Sequence, residues 1–244
     1  MTVAAVTSAL LDLLYPPRCA ACGAGGAWLC ATCRVAIHPI QPPYCVRCGQ
    51  PLDDAACRSC VVATPAPSAI RAAALFRGPV RDVIHALKYR NLTAVAPTLA
   101  MLMRAAYDEA GWSTQLVAPV PLHPARERQR GYNQAVALAK PLAAALGIPC
   151  VPRVLRRDRV TADQIGLDVQ RRRANVADAF SVPAPGKVQG RSVLLVDDVM
   201  SATQSDRPGP STGSAISSRQ RGVWSNGQSA TRAPSASRAR RRCR

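Results

Sequence analysis

The chain has 244 residues, 48% of them apolar, which excludes a disordered protein and leaves room for one sizeable core plus a small module. Lysine and arginine number 32 against 14 acidic residues, a net charge of +18 that favours anionic partners: nucleic acid, phosphates or an acidic membrane surface. No run reaches the ~18 apolar residues of a membrane span. Residues 2–14 lack a basic lead and are interrupted by Asp12, so no signal peptide is read and a cytoplasmic protein is expected. In a reducing compartment its ten cysteines point to metal rather than disulfides.

Residues 3–14 predict a short amphipathic helix that stops at Pro16-Pro17. Four Cys-x-x-Cys pairs follow: Cys19/Cys22, Cys30/Cys33, Cys45/Cys48 and Cys57/Cys60. A two-residue spacer lets two thiolates meet one tetrahedral Zn²⁺ from a tight turn. Gly23 and Gly49 follow the second cysteine of the first and third pairs, where such a knuckle favours a positive φ. Two structural zinc sites are expected. The simplest assignment puts the first four cysteines on one ion and the next four on the other; the spacing leaves an interleaved assignment open. With four thiolates each, neither ion keeps an open position for catalysis, and the metals serve folding. His38, between the sets, is read as a surface or packing residue.

Val61–Ser68, with Pro65 and Pro67, reads as a linker. Ile70–Phe76 predicts a strand, ended by Gly78-Pro79. Over residues 80–90, Val80, Val83, Ile84 and Leu87 share one helical face, with Lys88 and Arg90 at the C-terminal end where cations suit the dipole. His85 borders that stripe and is read as a half-buried helix residue. Residues 94–110 predict a core helix. Leu116–Pro121 predicts a strand, residues 122–134 a basic loop, and Ala135–Leu146 a helix. The loop carries His123, Arg126, Arg128, Arg130, Tyr132 and Asn133. Arginine forks suit diphosphate oxygens, helix N-termini attract phosphate, and the Tyr132 ring offers a face for a base. Val154-Leu155 is read as the end of a strand, and residues 156–180 as an extended basic arm with a short helix from about Asp168.

Val193–Val196 is a continuous aliphatic run entering Asp197-Asp198. Such a run reads as a strand buried on both faces in a parallel sheet, whose carboxyl end is where open α/β sheets bind ligands. Adjacent carboxylates suit a ribose or a hydrated Mg²⁺. From Thr203 the composition changes abruptly: nine Arg, no Lys and one Asp, with Ile216, Val223 and Trp224 as the large apolar residues. Residues 203–244 are therefore expected to form a disordered basic tail.

The acidic stretch resembles the phosphoribosyl diphosphate (PRPP) motif of type I phosphoribosyltransferases. Pro121–Pro124, Arg130–Gln134 and Leu87–Arg90 are similar to ComF-family patterns. So are Thr161, Gln164–Leu167, Arg171–Arg173, Asn175 and Ala179-Phe180, and the double zinc ribbon. The resemblance covers residues 10 to about 201. It implies an α/β protein: an N-terminal helix and double zinc ribbon (1–62), then a phosphoribosyltransferase-like domain with a mainly parallel sheet, C-terminally incomplete (69–202). It also implies PRPP binding with Mg²⁺ on Asp197, Asp198, Ser201 and Thr203. Lys88, Arg126, Arg128, Arg130, Tyr132 and Asn133 would be diphosphate or nucleic-acid contacts, Arg171–Arg173 a phosphate contact. Single-stranded DNA and the DNA-uptake machinery are the implied partners. The departure is Val199-Met200-Ser201-Ala202-Thr203-Gln204, where the related Thr-Gly-x-Thr phosphate loop has lost its glycine. It puts activity in doubt and suggests a frameshift after Val199–Ser201, against a genuine nucleic-acid-binding tail. The functional alternatives are an active phosphoribosyltransferase of nucleotide salvage and an inactive remnant.

Overall fold

The computed structural model describes residues 16–52, 57, 60, 67–159, 178–201 and 212–219. The predicted N-terminal helix, the linker up to residue 66, the helix from Asp168, Arg171–Arg173 and Thr203 lie outside these residues. Strand β1 is Ala69–Leu75, followed by helix α1, Pro79–Tyr89, and, after a 3-10 turn at Thr93–Val95, helix α2, Ala96–Glu109. Then come β2 (Leu116–Pro119), α3 (Pro124–Arg130), α4 (Gln134–Leu146), β3 (Arg156–Arg157), β4 (Phe180–Ser181), β5 (Val193–Val196), β6 (Met200–Ser201) and β7 (Thr212–Arg219). Among the described residues no helix is long and apolar enough to cross a membrane.

The main sheet runs β1-β7-β5-β2, with β6 paired to β7. Its parallel pair joins Leu116–Pro119 to Val193–Val196 residue for residue. The predicted α1 stripe is its buried face: Val80, Val83, Ile84 and Leu87 are all essentially inaccessible. They share one core with Leu99 and Met103 of α2, Leu138 and Leu142 of α4, and Val117, Leu194 and Val196 of the sheet. The alternate sheet residues Leu116, Ala118, Val193 and Leu195 face a smaller cluster with Val154, Val182 and Val188. Burial on both faces is why the β5 run is continuous rather than alternating. Its second face is the thinner one, so Val193 and Leu195 stay only half-buried.

Three expectations are corrected. The stretch 122–134, expected as a loop, contains helix α3. His123 accepts a capping bond through Nδ1 from the Ala125 N–H at 3.2 Å, Pro124 opens the first turn, and Gly131 at φ 79° ends it. Val154-Leu155 is not the end of a strand: Val154 is a buried loop residue, and the ladder begins at Arg156. Finally, residues 212–219 form a strand within the stretch expected to lack structure. β1 and β5 each pair antiparallel with it rather than with each other. Ladder bonds use main-chain groups, so they need no apolar periodicity that composition would reveal.

The cysteine-rich module is joined to β1 through main chain. The Ile40 N–H donates to the Ala73 carbonyl at 3.4 Å, the Leu75 N–H to the His38 carbonyl at 3.0 Å, and the Ile70 N–H to the Arg47 carbonyl at 2.8 Å. Arg71, 1% exposed, reaches back across this seam. Its Nη2 donates to the Ile40 carbonyl at 2.6 Å and to Glu109 Oε2 at 3.0 Å, and its guanidinium lies 3.6 Å from the Tyr44 ring centroid. Gly49 fits here for two reasons: its φ is 71°, and a Cβ would lie 2.6 Å from the Ile70 carbonyl oxygen.

Candidate functional site

The four Cys-x-x-Cys pairs fold into two sets of thiols. Cys19, Cys22, Cys30 and Cys33 form one, Cys45, Cys48, Cys57 and Cys60 the other, and within each set the sulfurs lie within 4.8 Å of one another. The assignment is therefore sequential, and His38 belongs to neither set. Both knuckles close the same way, with the N–H of Gly23 donating to the Cys19 carbonyl and that of Gly49 to the Cys45 carbonyl, each at 2.8 Å. The predicted positive φ is present at both glycines.

Zn–S bonds of about 2.3 Å in a tetrahedron set sulfurs about 3.8 Å apart. The Cys22–Cys30 and Cys45–Cys60 separations are 3.7 Å, and Cys48–Cys57 is 3.4 Å. Electrostatics agree with the geometry. Burial alone would raise the Cys19 thiol, but N–H donors from Cys30, Cys22 and Ala21 outweigh it and bring Cys19 down to about 6. Burial and its neighbouring thiols push Cys33 far up instead. Four thiols this close ionise together only around a cation. The chain thus carries two four-cysteine zinc-binding sites.

The second site lies at the carboxyl end of β5. The Asp198 N–H donates to Asp197 Oδ1 at 2.8 Å, so the two carboxylates are held on a tight turn. Lys88 Nζ, from the last turn of α1, stands 3.0 Å from Asp198 Oδ2. Burial and then the Asp198 charge push Asp197 up to about 7, with the Asp198 N–H and Lys88 opposing. Arg157 of β3 lies within electrostatic reach of Asp197, and sequence reading missed it among the other arginines of its arm. Burial lowers its pKa, the Arg126 charge lowers it further, and Asp197 opposes both. The acidic pair thus has Lys88 of α1 in direct contact with Asp198, and the Arg157 charge of β3 within electrostatic reach of Asp197.

The remaining predicted residues are placed unevenly. Arg130 donates from Nη1 to Gln134 Oε1 at 3.1 Å, and Arg128 is exposed on α3. The Tyr132 hydroxyl donates to the Leu87 carbonyl, which ties the loop before α4 to α1. Asn133, expected as a ligand contact, is buried and serves the fold. Its Oδ1 caps α4 through the Ala135 N–H at 2.8 Å, and its Nδ2 donates to the Val120 carbonyl at 3.0 Å. Ser201 lies in β6, paired with Thr212, rather than in a phosphate-cradling loop.

The raised Asp197 pKa makes a stability prediction. An acid whose pKa rises on folding takes up a proton on folding. Its contribution is complete below the unfolded value of about 3.9 and is lost as pH rises through about 7. Denaturation midpoints measured against pH should therefore fall more steeply over that window for the wild type than for Asp197→Asn. Parallel curves would show that Asp197 titrates normally.

A double zinc ribbon domain model matches residues 10–61. The chain is 33% identical over 180 residues to competence protein F of Haemophilus influenzae, covering 70% of this chain and 78% of that protein. It is 31% identical over 179 residues to the DNA utilization protein YhgH of Salmonella typhi, covering 70% and 78%. Against YhgH of Escherichia coli it is 31% identical over 183 residues, covering 72% and 79%. With two four-cysteine sites in its N-terminal module, an α/β domain after them, and relatives matched along most of their length, this chain belongs to the ComF family.

Proposed function

We propose that this protein handles single-stranded DNA during DNA uptake, and that its Asp197–Asp198 site binds PRPP with Mg²⁺ without turning it over. The DNA role is supported by what its relatives are called, a competence protein and DNA utilization proteins. The observation that carries the ligand reading is the acidic pair at the carboxyl end of parallel strand β5, with Lys88 3.0 Å from Asp198. An all-oxygen donor set suits Mg²⁺, which would screen the diphosphate when bound. Asp197 and Asp198 would hold the ribose hydroxyls, and Arg126, Arg128 and Arg130 the diphosphate.

Binding is favoured over turnover because transfer at C1 passes through a cationic ribosyl centre. The 5′-phosphate must be held still while that charge develops. The sequence Ser201-Ala202-Thr203-Gln204 lacks the glycine of a Thr-Gly-x-Thr cradle, and among the described residues Met200–Ser201 is extended and paired with residues 212–213. Titration calorimetry and a fluorescence anisotropy assay with a single-stranded oligonucleotide test the two parts separately. PRPP with Mg²⁺ should give heat that Asp197→Asn/Asp198→Asn abolishes, with no diphosphate released. The oligonucleotide should bind both chains, with log affinity falling by about 0.7 per phosphate contact for each log unit of salt. Heat that survives the double substitution defeats the ligand assignment, diphosphate release restores the enzyme, and failure to bind the oligonucleotide removes the DNA role.

A further inference from the structure

Helix α1 has a second row of side chains besides the stripe it buries. His85, expected half-buried, is exposed. His85 and Tyr89, one turn apart, have ring centroids 5.7 Å apart, and Phe76, just beyond the end of β1, lies 6.2 Å from His85. Tyr89 is 69% exposed, so its ring is open to solvent. The Arg130 guanidinium sits over the Tyr89 ring, 5.7 Å from its centroid. That gap is wider than direct stacking and narrower than a full sandwich around a base, so a small movement of the long arginine side chain would admit one. The rim is basic: Arg77, Arg81 and Arg90 are exposed beside the row. The acidic group on α1, Asp82, is paired with Arg81 at 3.5 Å. At its far end the row reaches Lys88, and through it Asp198.

We infer that Phe76, His85 and Tyr89, with Arg130, form a stacking track for the unpaired bases of a single strand of nucleic acid. The inference rests on the DNA-handling reading and adds where the strand runs. The exposed rings of His85 and Tyr89, backed by the half-buried Phe76, lie beside guanidinium groups and match what single strands offer, a base face alternating with a phosphate. A duplex hides its base faces, so it is not the matching form. The ring spacings are nearly twice the rise of about 3.4 Å per nucleotide in stacked DNA, so the track fits an extended strand.

The test is fluorescence anisotropy with the full zinc-loaded chain, using fluorescein-labelled oligothymidine and an abasic oligonucleotide of equal length. Tyr89→Ala should weaken oligothymidine binding about tenfold, and Tyr89→Phe should retain it, because the ring and not the hydroxyl stacks. The abasic strand should bind wild type and Tyr89→Ala alike, since only phosphates remain to be held. The exposed position of Tyr89 lets the alanine variant fold, and an unchanged melting curve verifies it. If Tyr89→Ala binds oligothymidine as the wild type does, the track is wrong while the DNA reading stands. If the wild type binds neither oligonucleotide, both fall together.

Discussion

Replacing Arg71 with alanine should destabilise the protein by about 3 kcal/mol, more than any single change in the acidic site. Arg71 is 1% exposed and meets the Ile40 carbonyl, Glu109 and the Tyr44 ring, so one side chain ties three separate segments. Removing it leaves a buried carbonyl without its donor and opens a cavity between the cysteine module and β1. Glu109 is 37% exposed at its side chain and stays hydrated, which keeps the loss at the lower end of the range for broken buried pairs. In a chain of this size the melting temperature should drop by about 6–12 °C. Arg71→Lys should recover the loss only in part, because an ammonium cannot spread a planar face over Tyr44 while donating along two directions. A melting curve within a degree or so of wild type for Arg71→Ala would mean that the seam is held by its main-chain bonds and by the apolar packing of Leu29 and Ile37, without Arg71.

Stripping the zinc should cost far more. Structural zinc sites contribute on the order of 10 kcal/mol of apparent binding free energy each, and here that energy is folding energy. Two zinc ions per chain are expected by elemental analysis, and a chelator should release both. The effect should reach the α/β domain through two amides, Ile70 and Leu75, which donate to Arg47 and His38 of the module. Their hydrogen-exchange protection should collapse on chelation, while that of α4 amides, which bond within their own helix, should fall less. Equal protection at Ile70 and Leu75 before and after chelation would show the module to be an independent appendage.

What could be read in advance divides by physical cause. The Cys-x-x-Cys pairs were legible because metal chemistry fixes both residue type and spacing, and their sequential grouping followed the shortest loops. The stripe Val80, Val83, Ile84, Leu87 was legible because a helix repeats its buried face every three to four residues. The run into Asp197-Asp198 was legible because a strand buried on both faces has no polar alternation. Arg157 was not, since one arginine in a basic segment carries no sign of which neighbour it will meet. Arg71 was hidden in the same way, a single charge inside an apolar strand. The capping role of Asn133 was not legible, because a capping asparagine and a ligand-binding asparagine look alike until the helix start is located. Strand β7 was missed because its partners are main-chain groups far away in sequence.

The main-chain bonds from residues 38–47 to β1 also bear on how copies of this protein behave toward one another. A strand with one side open is a template for the same strand of another chain, and proteins close such sides with charges, prolines, bulges or a covering segment. On β1 the covering segment includes Pro39, which has no N–H to offer a further strand. The module thus ends the hydrogen-bond ladder on that side, and its loss would leave an apolar strand, Ala-Ile-Arg-Ala-Ala-Ala-Leu, ready to pair between molecules. The cysteines would then guard solubility as much as shape.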